Sequence, residues 1–297
     1  MKSLLGAIIE WSTCGDWGGV VRSWRITTTT HDEDRSNVTD ITWTTVAAND
    51  AATSENKIHD DLVARKFGFA GGLVPGVTVY ALATRPVVER NGVNWIERGS
   101  ASFRLPAPAY EGDRVTSTSA ADGRFTLAGS DGTVCLEGKV GMADSAPPFP
   151  EVPADGELPD LRPEASETSL AVGTVLAPVE RVVDATLHQE FLDFLGDDLA
   201  IYRGSSAVVH PGWLSRALNR VISRNVLLGP WIHVGSDIQH HGAARAGDRL
   251  QTRGVVVDNY ERKGHHFVVV DVAMDADRKR PVLSGRHTAI WRPRQIA

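Results

Sequence analysis

The sequence predicts an α+β fold written twice, each copy a helix followed by several antiparallel strands. Three observations carry this prediction. Short matches recur along the chain at a constant spacing, a helical apolar period follows a Pro-Gly step in each copy, and Val-rich runs broken by turn residues follow each helix.

The repeat comes first because it sets the domain organisation. Pro75-Gly76 returns as Pro211-Gly212, Trp95-Ile96 as Trp231-Ile232 and Gly99-Ser100 as Gly235-Ser236, each displaced by 136 residues. Glu111-Gly112-Asp113-Arg114-Val115 then returns as Ala246-Gly247-Asp248-Arg249-Leu250, displaced by 135, so one deletion separates the copies. Residues 146–166 are rich in Pro, Glu and Asp and have no apolar period, which reads as a linker. The expected division is an N-terminal appendage over 1–40, a first half over 41–145, the linker, and a second half over 167–297.

Within the second copy Trp213, Leu214, Ala217, Leu218, Val221 and Ile222 share one helix face. In the first, Val77, Tyr80, Ala81 and Thr84 do, and Pro86 is expected to bend or end the helix. Strand-like runs follow at 100–105, 115–120, 124–128 and 133–142 in the first copy, and at 253–259, 266–274 and 283–291 in the second. Two such sheets can pair edge to edge, which covers two exposed edges.

Composition narrows the function. A net charge of −6 with scattered Arg and Lys gives no nucleic-acid footprint. The cluster Arg278-Lys279-Arg280 lies between strand-like runs and reads as a solvated turn. Two distant cysteines, Cys14 and Cys135, form neither a disulfide framework nor a zinc pattern and fit a reducing, cytoplasmic setting. The apolar stretch 4–9 is too short to span a membrane. His240-His241 and His265-His266 are neighbours that face opposite sides of a strand, so no metal is expected. The chain lacks a Gly-rich nucleotide loop and a Gly-x-Ser-x-Gly elbow, which disfavours dehydrogenase, kinase and α/β-hydrolase chemistry. No cofactor is expected.

The segment before the first Pro-Gly reads Ser54-Glu55-Asn56-Lys57-Ile58-His59-Asp60-Asp61, and after residues 62–73 comes Val74-Pro75-Gly76-Val77. This resembles the MaoC-like enoyl-thioester hydratases and dehydratases, whose pattern is Asp-x-Asn-Pro-x-His, a helix-loop segment, and a His-Gly step opening a central helix. The match holds at Asn56, His59 and Gly76. It departs at Ser54, where the family has its catalytic Asp, at Lys57, where it has Pro, and at Pro75, where it has His. The second copy keeps an Asp as Asp197 but has Leu199 and Tyr202 at the Asn and His positions, with His210 just before Pro211-Gly212. The resemblance implies a double hotdog, each half a long helix wrapped by an antiparallel sheet. It also implies a hydratase or dehydratase acting on an α,β-unsaturated or 3-hydroxy acyl thioester of coenzyme A or a carrier protein.

Adding water across such a thioester needs a base for the water and an acid for the α-carbon. It also needs donors that polarise the thioester oxygen, a task suited to free N–H groups at a helix start. On this reading His59, with Asn56 and Asp60, carries the acid–base work. Ser54, Glu55, Gly76 and Val77 contact substrate, and Gly76 permits close approach of the acyl group to the backbone. Other roles stay open: Asn56 as a loop brace, Asp60 and Asp61 as N-terminal charge features of a helix, Glu55 as a replacement carboxylate. Asp197, Tyr202 and His210 form either a second site or structural support. A hotdog thioesterase and a non-catalytic acyl-thioester binder are the alternative functions. A homodimer of double-hotdog chains is the expected assembly.

Overall fold

The computed structural model describes residues 39–145 and 147–295. The expectations for residues 1–38 therefore lie outside the described residues. In the first half, strand β1 (Ile41–Val46) leads to a short helical turn (Lys57–His59) and helix α1 (Asp61–Lys66). Helix α2 (Gly76–Asn91) and helix α3 (Val93–Arg98) follow, then strands β2 (Gly99–Arg104), β3 (Arg114–Ser119), β4 (Arg124–Gly129) and β5 (Val134–Met142). The second half has β6 (Val175–Val182), α4 (Ala185–Leu195), a second helical turn (Ala200–Tyr202) and α5 (Pro211–Asn225). It ends with β7 (Ile232–His240), β8 (Arg249–Arg262), β9 (His265–Ala276) and β10 (Arg280–Arg292).

The ten strands among the described residues form one sheet in the order β1-β3-β4-β5-β2-β7-β10-β9-β8-β6. Read inward from either edge, the two halves have the same topology. They join where β2 runs antiparallel to β7, with Ala101 opposite Ile238. Pairing these strands removes two edges that would otherwise present unbonded N–H and C=O groups.

The duplication extends to single hydrogen bonds. Ala47 N donates to Asp113 O at 2.8 Å, and Val183 N donates to Asp248 O at 2.9 Å. Val74 N reaches Ala109 O at 2.9 Å, and Val209 N reaches Ala244 O at 2.8 Å. Leu73 N to Ile58 O, at 3.2 Å, has its counterpart in Val208 N to Ile201 O, at 3.1 Å. The first two pairs tie the segment before a central helix to the loop that precedes β3 or β8, and the third ties that segment to its own helical turn. Equivalent backbone around both helix starts is the consequence.

Helices α2 and α5 lie side by side under the sheet. A Cβ added at Gly212 would sit 2.2 Å from Ala81 Cβ, so the two backbones approach as closely as a glycine permits. Helix α2 is buried on nearly every face from Val77 to Thr84, which is why its sequence shows a weaker one-sided period than α5. It continues through Pro86 to Asn91, where the sequence suggested a bend or an end. Packing on all sides outweighs the one hydrogen bond that proline removes. Residues 147–174 contain no helix or strand, yet they lie against the body: Val152 and Leu170 are buried, and Phe149 packs edge-on to His241.

Candidate active site

Asn56 caps the helical turn Lys57–His59 and His59 ends it, against the loop leading to α2. The His59 ring is held at both nitrogens. Nδ1 lies 2.7 Å from Leu73 O, and a carbonyl can only accept, so Nδ1 carries the proton. Nε2 is then a lone pair, and it accepts from Asn56 Nδ2 at 3.2 Å. The second Asn56 amide hydrogen goes to Trp231 O at 2.9 Å, and Asn56 Oδ1 accepts from Trp231 N at 3.1 Å. The pattern is self-consistent only for a neutral imidazole protonated at Nδ1. Burial lowers the His59 pKa, while the Leu73 hydrogen bond and the charge of Asp50 oppose that shift.

His59 and Asn56 line a narrow cavity of ≈ 50 Å³. Its floor is the start of α2, at Pro75, Gly76 and Val79, and its far wall comes from the second half, with Asn219 on α5 and Trp231, Ile232 and His233 at β7. The space suffices for ordered water, and an acyl chain requires the walls to part. Helix α2 begins without any side-chain cap, because Pro75 offers no acceptor. Its first-turn N–H groups, those of Gly76 and Val77, therefore lack a helical partner. Two further atoms on the far wall have no hydrogen-bond partner although buried: Asn219 Oδ1 and His233 Nδ1. A larger open depression of ≈ 790 Å³ lies on the outer sheet face at the β2–β7 junction. Two of its arginines are already paired, Arg104 with Glu137 and Arg286 with Asp271, and its lining holds no histidine and no helix start, so the smaller cavity is the candidate site.

The remaining residues singled out in the first half point elsewhere. Asp60 caps α1, accepting from Val63 N at 3.0 Å, and does not line the cavity. Asp61 accepts from Gly72 N at 2.7 Å and so braces the loop. Glu55 is exposed and forms a two-pronged pair with Arg162 at 3.0 Å. The Ser54 hydroxyl donates to Asn56 O at 3.3 Å within its own turn. Val77 is buried beside the cavity floor without lining it. Consecutive side chains on a tight turn diverge, and that separates Glu55 and Asp60 from His59.

In the second half the equivalent space is filled. Asp197, Tyr202 and His210 are all buried, with the Tyr202 and His210 rings 4.8 Å apart. His210 Nδ1 accepts from Gly212 N at 2.9 Å, so this ring caps the helix start that stands open in the first half. His210 Nε2 lies 3.3 Å from Asp197 Oδ2, close but poorly aligned for a hydrogen bond. Asp197 Oδ1 accepts from Leu199 N at 3.1 Å, and Arg85 of α2 reaches both Asp197 and Asp198.

Reading the sequence alone missed the far wall. Asn219 and His233 sit where the first copy has Ala83 and Glu97. Positions where the two copies disagree were the available signal. Asp50 was missed as well: it accepts from the Thr78 hydroxyl at 3.0 Å and pairs with Arg216, placing a charge near His59. Among the described residues, no group of three His, Cys, Asp or Glu side chains is placed to hold a metal ion. No helix among them is long and apolar enough to cross a membrane.

Two half-sheets joined edge to edge over two central helices define a double hotdog, and solved structures of MaoC-like dehydratases share it. A protein from Chloroflexus aurantiacus, provisionally named a MaoC domain dehydratase, matches with a TM-score of 0.57 and 14% identity over 90% of this chain and 100% of its own. A conserved Mycobacterium tuberculosis protein described as a double hotdog matches with a TM-score of 0.60 and 14% identity over 86% of this chain and 96% of its own. A protein from Lactobacillus plantarum, provisionally named an oleoyl thioesterase, gives 0.51 and 10% over 88% and 99%. At these identities the likeness is one of fold. No known family profile matches the sequence, and no curated protein does.

Proposed function

We propose that the chain is a hydratase or dehydratase of acyl thioesters, of coenzyme A or a carrier protein, with its one working site in the first half. The observation that carries this reading is a neutral His59 facing the same cavity as an uncapped helix start. A thioester oxygen seated on the first-turn N–H groups of α2 draws electron density from the double bond, and the helix dipole adds to the pull. Water takes the place of Asn56 Nδ2 at His59 Nε2, which then accepts a proton from that water as the water oxygen bonds to the β-carbon. The imidazolium returns that proton to the α-carbon, so one group serves as base and then acid. Dehydration is the reverse. Lowering of the His59 pKa keeps the base form available at neutral pH. This scheme needs no carboxylate at Ser54, and Asp60 takes no part in it.

Hydrolysis is the second reading, since the family's catalytic Asp is replaced by Ser54 and a lone imidazole can equally activate water at the thioester carbon. Crotonyl-CoA separates the two. Loss of enoyl absorbance without thiol release is expected, and His59→Ala should reduce it on the order of a hundredfold or more. Thiol release in step with turnover would make the protein a thioesterase. Full activity in folded His59→Ala would remove His59 from the mechanism.

A further inference from the structure

The far wall of the cavity carries a histidine that the scheme above does not use. His233 is 7% exposed, and its Nδ1 has no partner of hydrogen-bond geometry. The ring lies against the start of α2: a Cβ built on Gly76 would meet His233 Nδ1 at 2.7 Å. Its other nitrogen is engaged. His233 Nε2 lies 2.9 Å from Ser236 Oγ, which lies 2.9 Å from His287 Nδ1. Ser236 and His287 are both buried, and the two imidazole rings are 4.3 Å apart.

We infer that His233, contributed by the second half, is a neutral hydrogen-bond donor to the acyl carbonyl oxygen, acting beside the first-turn N–H groups of α2, and that Ser236 and His287 fix its tautomer. The inference rests on reading the cavity as a thioester site. A serine hydroxyl donates one hydrogen and accepts another, so the chain has two arrangements. In the first, His287 Nδ1–H donates to Ser236 and Ser236 donates to His233 Nε2. This turns His233 Nδ1–H toward Gly76 and leaves a bare Nε2 on His287. The reverse arrangement leaves an N–H at His287 Nε2, a buried atom without an acceptor. Each arrangement leaves one N–H unpaired in the empty protein, but His233 lines the cavity, where a carbonyl oxygen can accept it, whereas His287 is fully buried away from that lining, so a bound thioester selects the first arrangement. Burial pushes the His233 pKa down to about 3, with a weak backbone contact at Gly235 opposing, so the ring donates without carrying charge. A neutral donor has an advantage here: it strengthens its bond as the oxygen gains charge, yet leaves no buried cation in the empty site. The first half has Glu97 at the position of His233, so the symmetry-related donor is absent from the second half.

Crotonyl-pantetheine, labelled with carbon-13 at the thioester carbonyl, tests this with the full chain. Bound to His59→Ala protein, which slows turnover, its carbonyl stretch should move to lower frequency than in water. Adding His233→Phe should abolish most of that movement, and adding His233→Gln, which restores an N–H donor, should keep much of it. In the otherwise unaltered chain, His233→Phe should lower kcat on the order of a hundredfold with little change in KM. Ser236→Ala should lower kcat less, by releasing the tautomer. An unchanged stretch or unchanged kcat in folded His233→Phe overturns the role of His233 and leaves the thioester reading standing. Should that variant not fold, Ser236→Ala decides: unchanged kcat and an unchanged stretch overturn the inference. Failure of the unsubstituted chain to bind the labelled thioester overturns both readings.

Discussion

Asn56 of the first half and Trp231 of the second are joined by a reciprocal pair of hydrogen bonds, with Asn56 Nδ2 donating to Trp231 O at 2.9 Å and Trp231 N donating to Asn56 Oδ1 at 3.1 Å. The amide thus imitates a strand neighbour and ties the His59 turn to the β7 wall. Its Nδ2 also meets His59 Nε2, so one side chain connects the sheet join to the proposed base.

Asn56→Ala would leave the Trp231 N–H and C=O unpaired at a site where Trp231 is 7% exposed. A loss of about 1–3 kcal/mol in urea unfolding is expected, as for a buried group left unsatisfied. Turnover should fall as well, because the His59 ring loses its outer support. Asn56→Asp is the sharper test. It keeps the acceptor for Trp231 N but sets a carboxylate against Trp231 O and His59 Nε2. The negative charge should favour imidazolium and move the acid limb of the pH–rate profile to higher pH. An unmoved limb would mean that Asn56 does not govern His59.

Much of this arrangement was legible in the sequence, and what escaped has a physical reason. The constant offset announced two equivalent halves, and the Pro-Gly steps located both central helices. Asn56, His59 and Gly76 were visible because they lie close together along one loop. His233 and Asn219 were not, because the wall they form comes from the other copy and has no local spacing relation to His59. Asp60 and Glu55 show the converse limit. Adjacency in sequence put them beside the base, while helix capping and the pair with Arg162 turned them away. Val74 in the first copy against His210 in the second was the clearest unused signal, since that exchange decides whether the helix start is open or capped.

Acid should destabilise the fold at unusually mild pH. Burial pushes the His188 pKa down to about 4 and those of His233 and His240 down to about 3, and it drives His287 well down too. In the unfolded chain these rings take up protons near pH 6.5. Their folded pKa values are lower, so the unfolded state binds more protons below that pH. The stabilisation is fully present above about pH 6.5 and is lost as pH falls toward 4. Each ring that stays neutral contributes a slope of about 1.4 kcal/mol per pH unit. Urea midpoints measured at pH 7.5, 6 and 5 should therefore fall steadily. A flat profile across that range would mean the buried rings are protonated or solvated in the folded protein.

The contact between central helices makes a separate prediction about packing. Gly212→Ala adds a Cβ that would lie 2.2 Å from Ala81 Cβ and 2.7 Å from Ala81 Cα, a backbone atom that cannot rotate aside. About 1–3 kcal/mol of destabilisation is expected from overpacking. Gly229→Ala is the control, because nothing lies within 4 Å of its added Cβ. Thermal unfolding should separate the two variants by several degrees. Equal midpoints would show that α2 and α5 can slide apart without loss.

The last prediction concerns the buried polar cluster of the second half. His210 caps α5 through Nδ1, its backbone N–H donates to His188 Nε2 at 3.0 Å, and its Nε2 faces Asp197. Asp197 in turn receives the Leu199 N–H and lies 3.8 Å from Arg85 Nε, an arginine of the first half. Neither side chain reaches the cavity that holds His59. A carboxylate and an imidazole so placed do the work of a brace: they close a helix start, hold a loop and tie the halves together. His210→Ala removes the cap and leaves a void, and a loss of about 2–4 kcal/mol is expected from capping and cavity terms together. Asp197→Asn keeps the shape but removes the charge facing Arg85, and a smaller loss is expected. Turnover per folded molecule should stay within a few-fold of the unsubstituted chain in both, measured with crotonyl-CoA at a temperature where circular dichroism shows the variants folded. If either variant is folded and inactive while His59→Ala turns over normally, the working site lies in the second half, and the open helix start at Gly76 has some other use.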